Sequence, residues 1–62
     1  MKYNGWALSV IALICNDAKV SDANKVGEIK CVVDHSEHYK DCFDDGDSPS
    51  EAWEAAKGAY SS

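Results

Sequence analysis

Trp6-Ala7-Leu8-Ser9-Val10-Ile11-Ala12-Leu13-Ile14-Cys15 is the stretch on which the fold turns. Its even positions (Trp6, Leu8, Val10, Ala12, Ile14) make a large apolar face, and its odd positions (Ala7, Ser9, Ile11, Leu13, Cys15) a mixed one. That pattern suits a strand buried on one side and partly covered on the other. A helix is also compatible, because Trp6, Val10, Leu13 and Ile14 share a face at helical spacing. The three β-branched residues favour the strand. Lys2 precedes this apolar run as in a secretion signal, but no small-x-small cleavage site follows and Asn16-Asp17 closes it. Ten residues are also too few to span a bilayer. The run therefore reads as core.

Outward from it, residues 16–27 are polar and read as a loop or long hairpin connection. Residues 28–34 alternate, with Ile29, Cys31 and Val33 on one side, which predicts a half-buried strand. His35 to His38 reads as a turn, residues 39–43 as a short third strand, and Asp44-Asp45-Gly46-Asp47 as a tight turn. Residues 48–60, Ser-Pro-Ser-Glu-Ala-Trp-Glu-Ala-Ala-Lys-Gly-Ala-Tyr, form the clearest helix. Ser48 caps it, Pro49 suits the first helical position and Glu51 completes a capping box. Ala52, Trp53, Ala56, Ala59 and Tyr60 fall on one side, small residues between two large rings, so a flat partner can approach closely. The expected fold class is α+β: a small antiparallel β-sheet of two or three strands with one C-terminal α-helix packed across it, in a single domain, residues 1–62.

Sixty-two residues bury only about 60% of the surface their unfolded chain exposes. Little room is left for a deep pocket, so a protein that works through its surface is expected rather than an enzyme. Seven Asp and four Glu face six Lys and no Arg, for a net charge of −5. That argues against direct nucleic-acid binding and against an acidic membrane surface, and it favours a basic protein partner. Cys15, Cys31 and Cys42 cannot all pair within one chain, which suggests reduced thiols and a cytoplasmic location.

Cys31, His35, His38 and Cys42 carry zinc-ligand chemistry, yet structural zinc sites usually pair cysteines two to four residues apart on a turn, and no such pair occurs. Cys31 and Cys42 read instead as small core residues and the histidines as loop tips. A Cys–His nucleophile would need a low-pKa thiol and a substrate site, and no signature of either surrounds these residues. Neither a metal nor a cofactor is expected, and no catalytic residue.

The turn Asp41, Asp44, Asp45, Asp47 is more informative, with Asp34 and Glu37 close by in sequence. Carboxylates before a helix N-terminus favour its dipole, and Asp-Asp-Gly-Asp favours a turn. The six acids together also make an edge that could imitate a row of phosphates; their spacing does not complete a calcium loop. Trp53 and Tyr60 read as core. Tyr3 and Trp6, at the start of the first strand, read as exposed partner-binding anchors. An uncovered sheet edge would permit self-pairing into a homodimer.

The segment Asp41-Cys-Phe-Asp-Asp-Gly-Asp-Ser-Pro-Ser-Glu-Ala-Trp-Glu-Ala-Ala56 resembles part of the HicB-type antitoxin domain. That family follows a strand bearing Gly-Cys-aromatic with a turn, then Gly-Asp-Thr-Pro-Glu-Glu-Ala and an alanine-rich helix. Cys42-Phe43, Gly46-Asp47-Ser48-Pro49 and Glu51-Ala52 match it position by position. The resemblance implies a β-β-β-α fold and the neutralisation of a small ribonuclease toxin. In size and charge the chain is also similar to small acidic phage proteins, including some anti-CRISPR proteins. The reading preferred from the residues is a protein-binding inhibitor, phage- or mobile-element-encoded. Its acidic edge would occlude a basic, nucleic-acid-handling surface of a larger protein; the antitoxin is the alternative.

Overall fold

The computed structural model describes residues 2–60, and among them the chain is helical, with no strand. α1 spans Tyr3–Cys15, α2 Asp22–Val33, α3 Glu37–Asp44 and α4 Pro49–Lys57; a 3-10 turn, Gly58–Tyr60, follows. The α+β expectation is thereby corrected, together with the sheet, since all three expected strands are helical.

Magnitudes explain the first correction. Helix propensity disfavours a β-branched residue by less than about 0.7 kcal/mol relative to Ala. Burying a Val or Ile side chain is worth about 1.5–3 kcal/mol. Val10 and Ile14, four residues apart, are both fully buried, beside Trp6 and Ala7 on the same helical face. Packing therefore outweighs the local preference for a strand. In α2 the alternation was coincidental: Val32 is fully buried, whereas Cys31 and Val33 on its two sides are exposed.

Three serines open three of the helices. Ser48 adopts extended backbone and its Oγ accepts from the Glu51 N–H at 3.2 Å, while the Glu51 carboxylate accepts from the Ser48 N–H at 2.9 Å. That is the expected capping box. Ser21 caps α2 by accepting from the Asn24 N–H at 3.3 Å. Ser36 starts α3 in extended backbone without a side-chain cap bond.

Two helices end alike. After α2 the Ser36 N–H reaches the Cys31 carbonyl and the His35 N–H reaches that of Val32; after α3 the Asp47 N–H reaches Cys42 and the Gly46 N–H reaches Phe43. Both are Schellman endings, which place one residue in left-handed backbone. Those residues are His35 (φ 55°) and Gly46 (φ 81°). The acidic turn lies where the sequence puts it, but a helix rather than a strand leads into it.

α1 and α2 are antiparallel neighbours. The Tyr3 hydroxyl donates to the Val32 carbonyl at one end, and Lys25 Nζ donates to the Cys15 carbonyl at the other. α4 packs on α1, with Ala52 fully buried, so the small-residue face meets a helix where a sheet was expected. α3 packs on α4. The core is Trp6, Ala7, Val10 and Ile14 of α1, with Val20, Val32, Tyr39, Ala52 and Trp53. Both buried indoles are satisfied: Trp6 Nε1 donates to the Asp47 carbonyl at 2.8 Å, and Trp53 Nε1 to Asp17 Oδ2 at 3.1 Å.

Candidate functional site

α3 turns the acids into a row. At 100° per residue, Glu37, Asp41 and Asp44 fall within about 60° of one another, and all three are exposed. Tyr39 and Phe43 point the other way, into the core and its border. Along the helix axis the three carboxylates are spaced by about 6 and 4.5 Å. Asp34 ends α2 and Asp45 ends α3, both exposed, so they extend the acidic surface. Among the described residues, no lysine stands within ion-pair distance of Asp34, Glu37, Asp41, Asp44 or Asp45.

Glu37 suits the first turn of the helix that carries the row, but the acids that follow it do not serve that helix. Acids four residues apart repel by a few tenths of a kcal/mol, and acids at a helix C-terminus oppose its dipole. Asp44 and Asp45 occupy that end, and no basic residue lies in the last turn.

Asp47 separates from the others. It is half-buried, takes the Trp6 indole on its carbonyl and sits against Cys42. The aromatic anchors also move inward, and here the sequence expectation is corrected. Trp6 is only 3% exposed; Tyr3 is half-buried and stacks on the His35 ring at 3.9 Å. A helix points position 6 into the core, where a strand end would have left it at an edge. Tyr3, Trp6 and Phe43 instead form one cluster, with ring centroids 5.4–5.7 Å apart.

Cys42 lies one turn after His38 on α3. Cys42 Sγ lies 3.9 Å from both ring nitrogens of His38, so it addresses neither. His38 Nε2 lies 3.1 Å from the Ala52 carbonyl and ties α3 to α4. Burial pushes the Cys42 thiol up, helped by its hydrogen bond to Asp47 and by the nearby charges of Asp45 and Asp41. A nucleophile needs the opposite shift. Cys31 is exposed, against the expectation that it lies in the core, and Cys42 is half-buried. Among the described residues, no three His, Cys, Asp or Glu side chains converge as a metal site.

Two arrangements escaped the sequence reading. Glu28 of α2 accepts hydrogen bonds from the hydroxyls of both Tyr39 and Tyr60, at 2.6 Å from the latter. The carboxylate holds the Tyr60 phenol up at about 12, with burial adding to the effect. Burial and the same carboxylate push Tyr39 up as well. No spacing rule links residues 28, 39 and 60; only the fold brings them together. The second is an open depression of about 380 Å3 beside Leu13, Asp17, Lys19, Trp53 and Lys57. Both of its carboxylates are already engaged: the Lys19 N–H, the Trp53 indole and the Lys57 ammonium hold Asp17 below the usual carboxylate range, and Glu54 pairs with Lys57 at 3.2 Å. Both arrangements brace the fold.

Among the described residues, no helix is long and apolar enough to cross a membrane. No family model, no curated protein and no solved structure matches this chain.

Proposed function

We propose that this protein is a non-catalytic inhibitor that docks its α3 acidic row on a basic, nucleic-acid-handling surface of a larger protein and denies that surface to substrate. The observation carrying this reading is the exposed row Glu37, Asp41, Asp44, extended by Asp34 and Asp45, which no lysine pairs with among the described residues. Roughly one carboxylate per 5 Å of helix axis compares with one charge per 3.4 Å along a DNA strand. A row whose C-terminal acids oppose their own helix dipole has a use if a cationic surface covers it. Such a surface is recognised through long-range attraction that speeds encounter. The setting in which this activity makes sense is the cytoplasm of a cell carrying a phage or mobile element, as anti-defence (for instance anti-CRISPR) or host takeover. An antitoxin acting on a small ribonuclease would use the same kind of contact, and nothing in the geometry favours it over the first reading.

The test is binding to the partner recovered by affinity purification, measured at two salt concentrations. The wild-type complex should associate more slowly as salt rises. The pair Asp41→Asn with Asp44→Asn should slow association while circular dichroism stays helical, and the pair changed to Lys should slow it further. Binding indifferent to both salt and charge would sink this reading.

A further inference from the structure

α1 is apolar beyond the side it buries. Trp6, Val10 and Ile14 face the core, yet Leu8 on the other side is 67% exposed, with Ala12 and Cys15 exposed beside it. Antiparallel to it, α2 leaves Val26 66% and Val33 59% exposed, seven residues apart on one stripe. Leu8 and Val33 meet at an open depression of about 290 Å3 whose other walls are Asn4, Ala7 and Ile11. Exposed large apolar side chains that line one depression, as Leu8 and Val33 do, mark an interaction surface.

Charge and shape select the occupant. Residues 1–33 hold four lysines and three carboxylates; residues 34–62 hold two lysines and eight carboxylates. The α1–α2 half is thus close to neutral, and nearly all the negative charge belongs to the half built from α3 and α4. A second copy meeting this one through α1 and α2 brings together the two near-neutral surfaces, with Asp34, next to Val33 in the chain, at their border, and leaves the α3 rows outside. Any contact through α3 would set like rows against each other. Leu8 and Val33 are both exposed and line the same depression. A two-fold axis through this face would set the Leu8 and Val33 of one copy against those of the other, the same patch on both copies, as an isologous interface requires.

We infer that two copies of this chain associate through the α1–α2 face, around Leu8 and Val33, with the acidic rows facing outward. This replaces the sheet-edge route to a homodimer, for which the fold supplies no edge among the described residues. It does not rest on the inhibitor reading.

Sedimentation equilibrium from roughly micromolar to millimolar chain concentration, the range of modest interfaces, reads the result directly. The wild type should reach twice the chain mass. Leu8→Lys and Val33→Lys, both at exposed positions, should each return it to the single-chain mass with unchanged helical circular dichroism. Asp41→Asn with Asp44→Asn should leave the doubled mass in place, so a failure of partner binding and a failure of self-association are distinguishable. A wild type that stays at the single-chain mass throughout, or a doubled mass that survives both lysine variants, would overturn the inference. A single-chain wild type that instead binds neutral lipid vesicles through Leu8 would also overturn it, and would give the face to lipid.

Discussion

α1 and α4 lie against each other and owe their structure to different causes. α4 has Ser48 and Glu51 closing a capping box, Pro49 in its first turn and Lys57 in its last. α1 has no side-chain cap bond, no acid in its first turn and no base in its last, yet at 13 residues it is the longest of the described helices. It supplies four of the nine core residues. Local chemistry starts and stops α4, whereas α1 is helical because α2 and α4 cover it. Packing therefore dominates the half of the molecule that local rules describe worst.

The largest effect that would break this comparison is at Trp6. Trp6→Ala should lower stability by about 3–5 kcal/mol, comparable with everything a domain this small possesses, whereas Leu8→Ala two residues away should change it by less than about 0.5 kcal/mol. Urea midpoints check both. A wild-type midpoint for Trp6→Ala would mean that the ring is not core.

The next effect is expected with alkali and tests the tie between α2 and the C-terminal turn. A phenol raised from its ordinary 10.0 to about 12 in the folded state gives stability that is complete below pH 10 and is lost as pH rises through about 12. The melting temperature should fall across that window, and Tyr60→Phe should flatten the fall. The acid side has the opposite sign. Asp17 and Glu51 are held low in the folded chain by the Lys19 and Ser48 N–H groups respectively, so their contribution is lost as pH falls below about 4.

Smaller effects sharpen the local half of the comparison. Gly46 has left-handed backbone with open space where a Cβ would go, so Gly46→Ala should cost about 1–2 kcal/mol through backbone strain alone. Ser48→Ala removes an N-cap acceptor and should cost about 1 kcal/mol. Both are read as shifts in thermal midpoint. The smallest effect concerns the acidic row: Asp41→Asn with Asp44→Asn should leave stability unchanged or raise it by a few tenths of a kcal/mol. A clear loss of stability would mean that the row is structural, and would remove the ground for reading it as a docking surface.

Local signals in the sequence identified α4 correctly, down to the reciprocal bonds of its cap, and they placed the turn at Gly46. They did not reveal α2 or α3. Ser21-Asp22 and Ser36-Glu37 are the same kind of start as Ser48, a serine followed by an acid in the first turn, and were available as signals. They were masked by the alternation of residues 28–34 and by the shortness of α3. The acidic residues were legible as a cluster, but their arrangement was not: only a helix through residues 37–44 puts Glu37, Asp41 and Asp44 on one line and turns Asp47 inward.

By itself the sequence determined what depends on neighbours along the chain: the capped start of α4, the left-handed glycine after α3, the net negative charge and its concentration beyond residue 33. Only the tertiary structure decided what depends on neighbours across the chain. Trp6-to-Cys15 is compatible with a strand and with a helix, its β-branched residues favour the strand, and the helix was decided by packing α1, with Val10 and Ile14 fully buried, against α2 and α4. The same packing carried Trp6 from an expected surface anchor into the core and left Leu8 outside. It also set Glu28 between Tyr39 and Tyr60. Hydrophobic burial is non-directional and sums over the whole molecule, so no window of the chain contains enough of it to settle these questions locally.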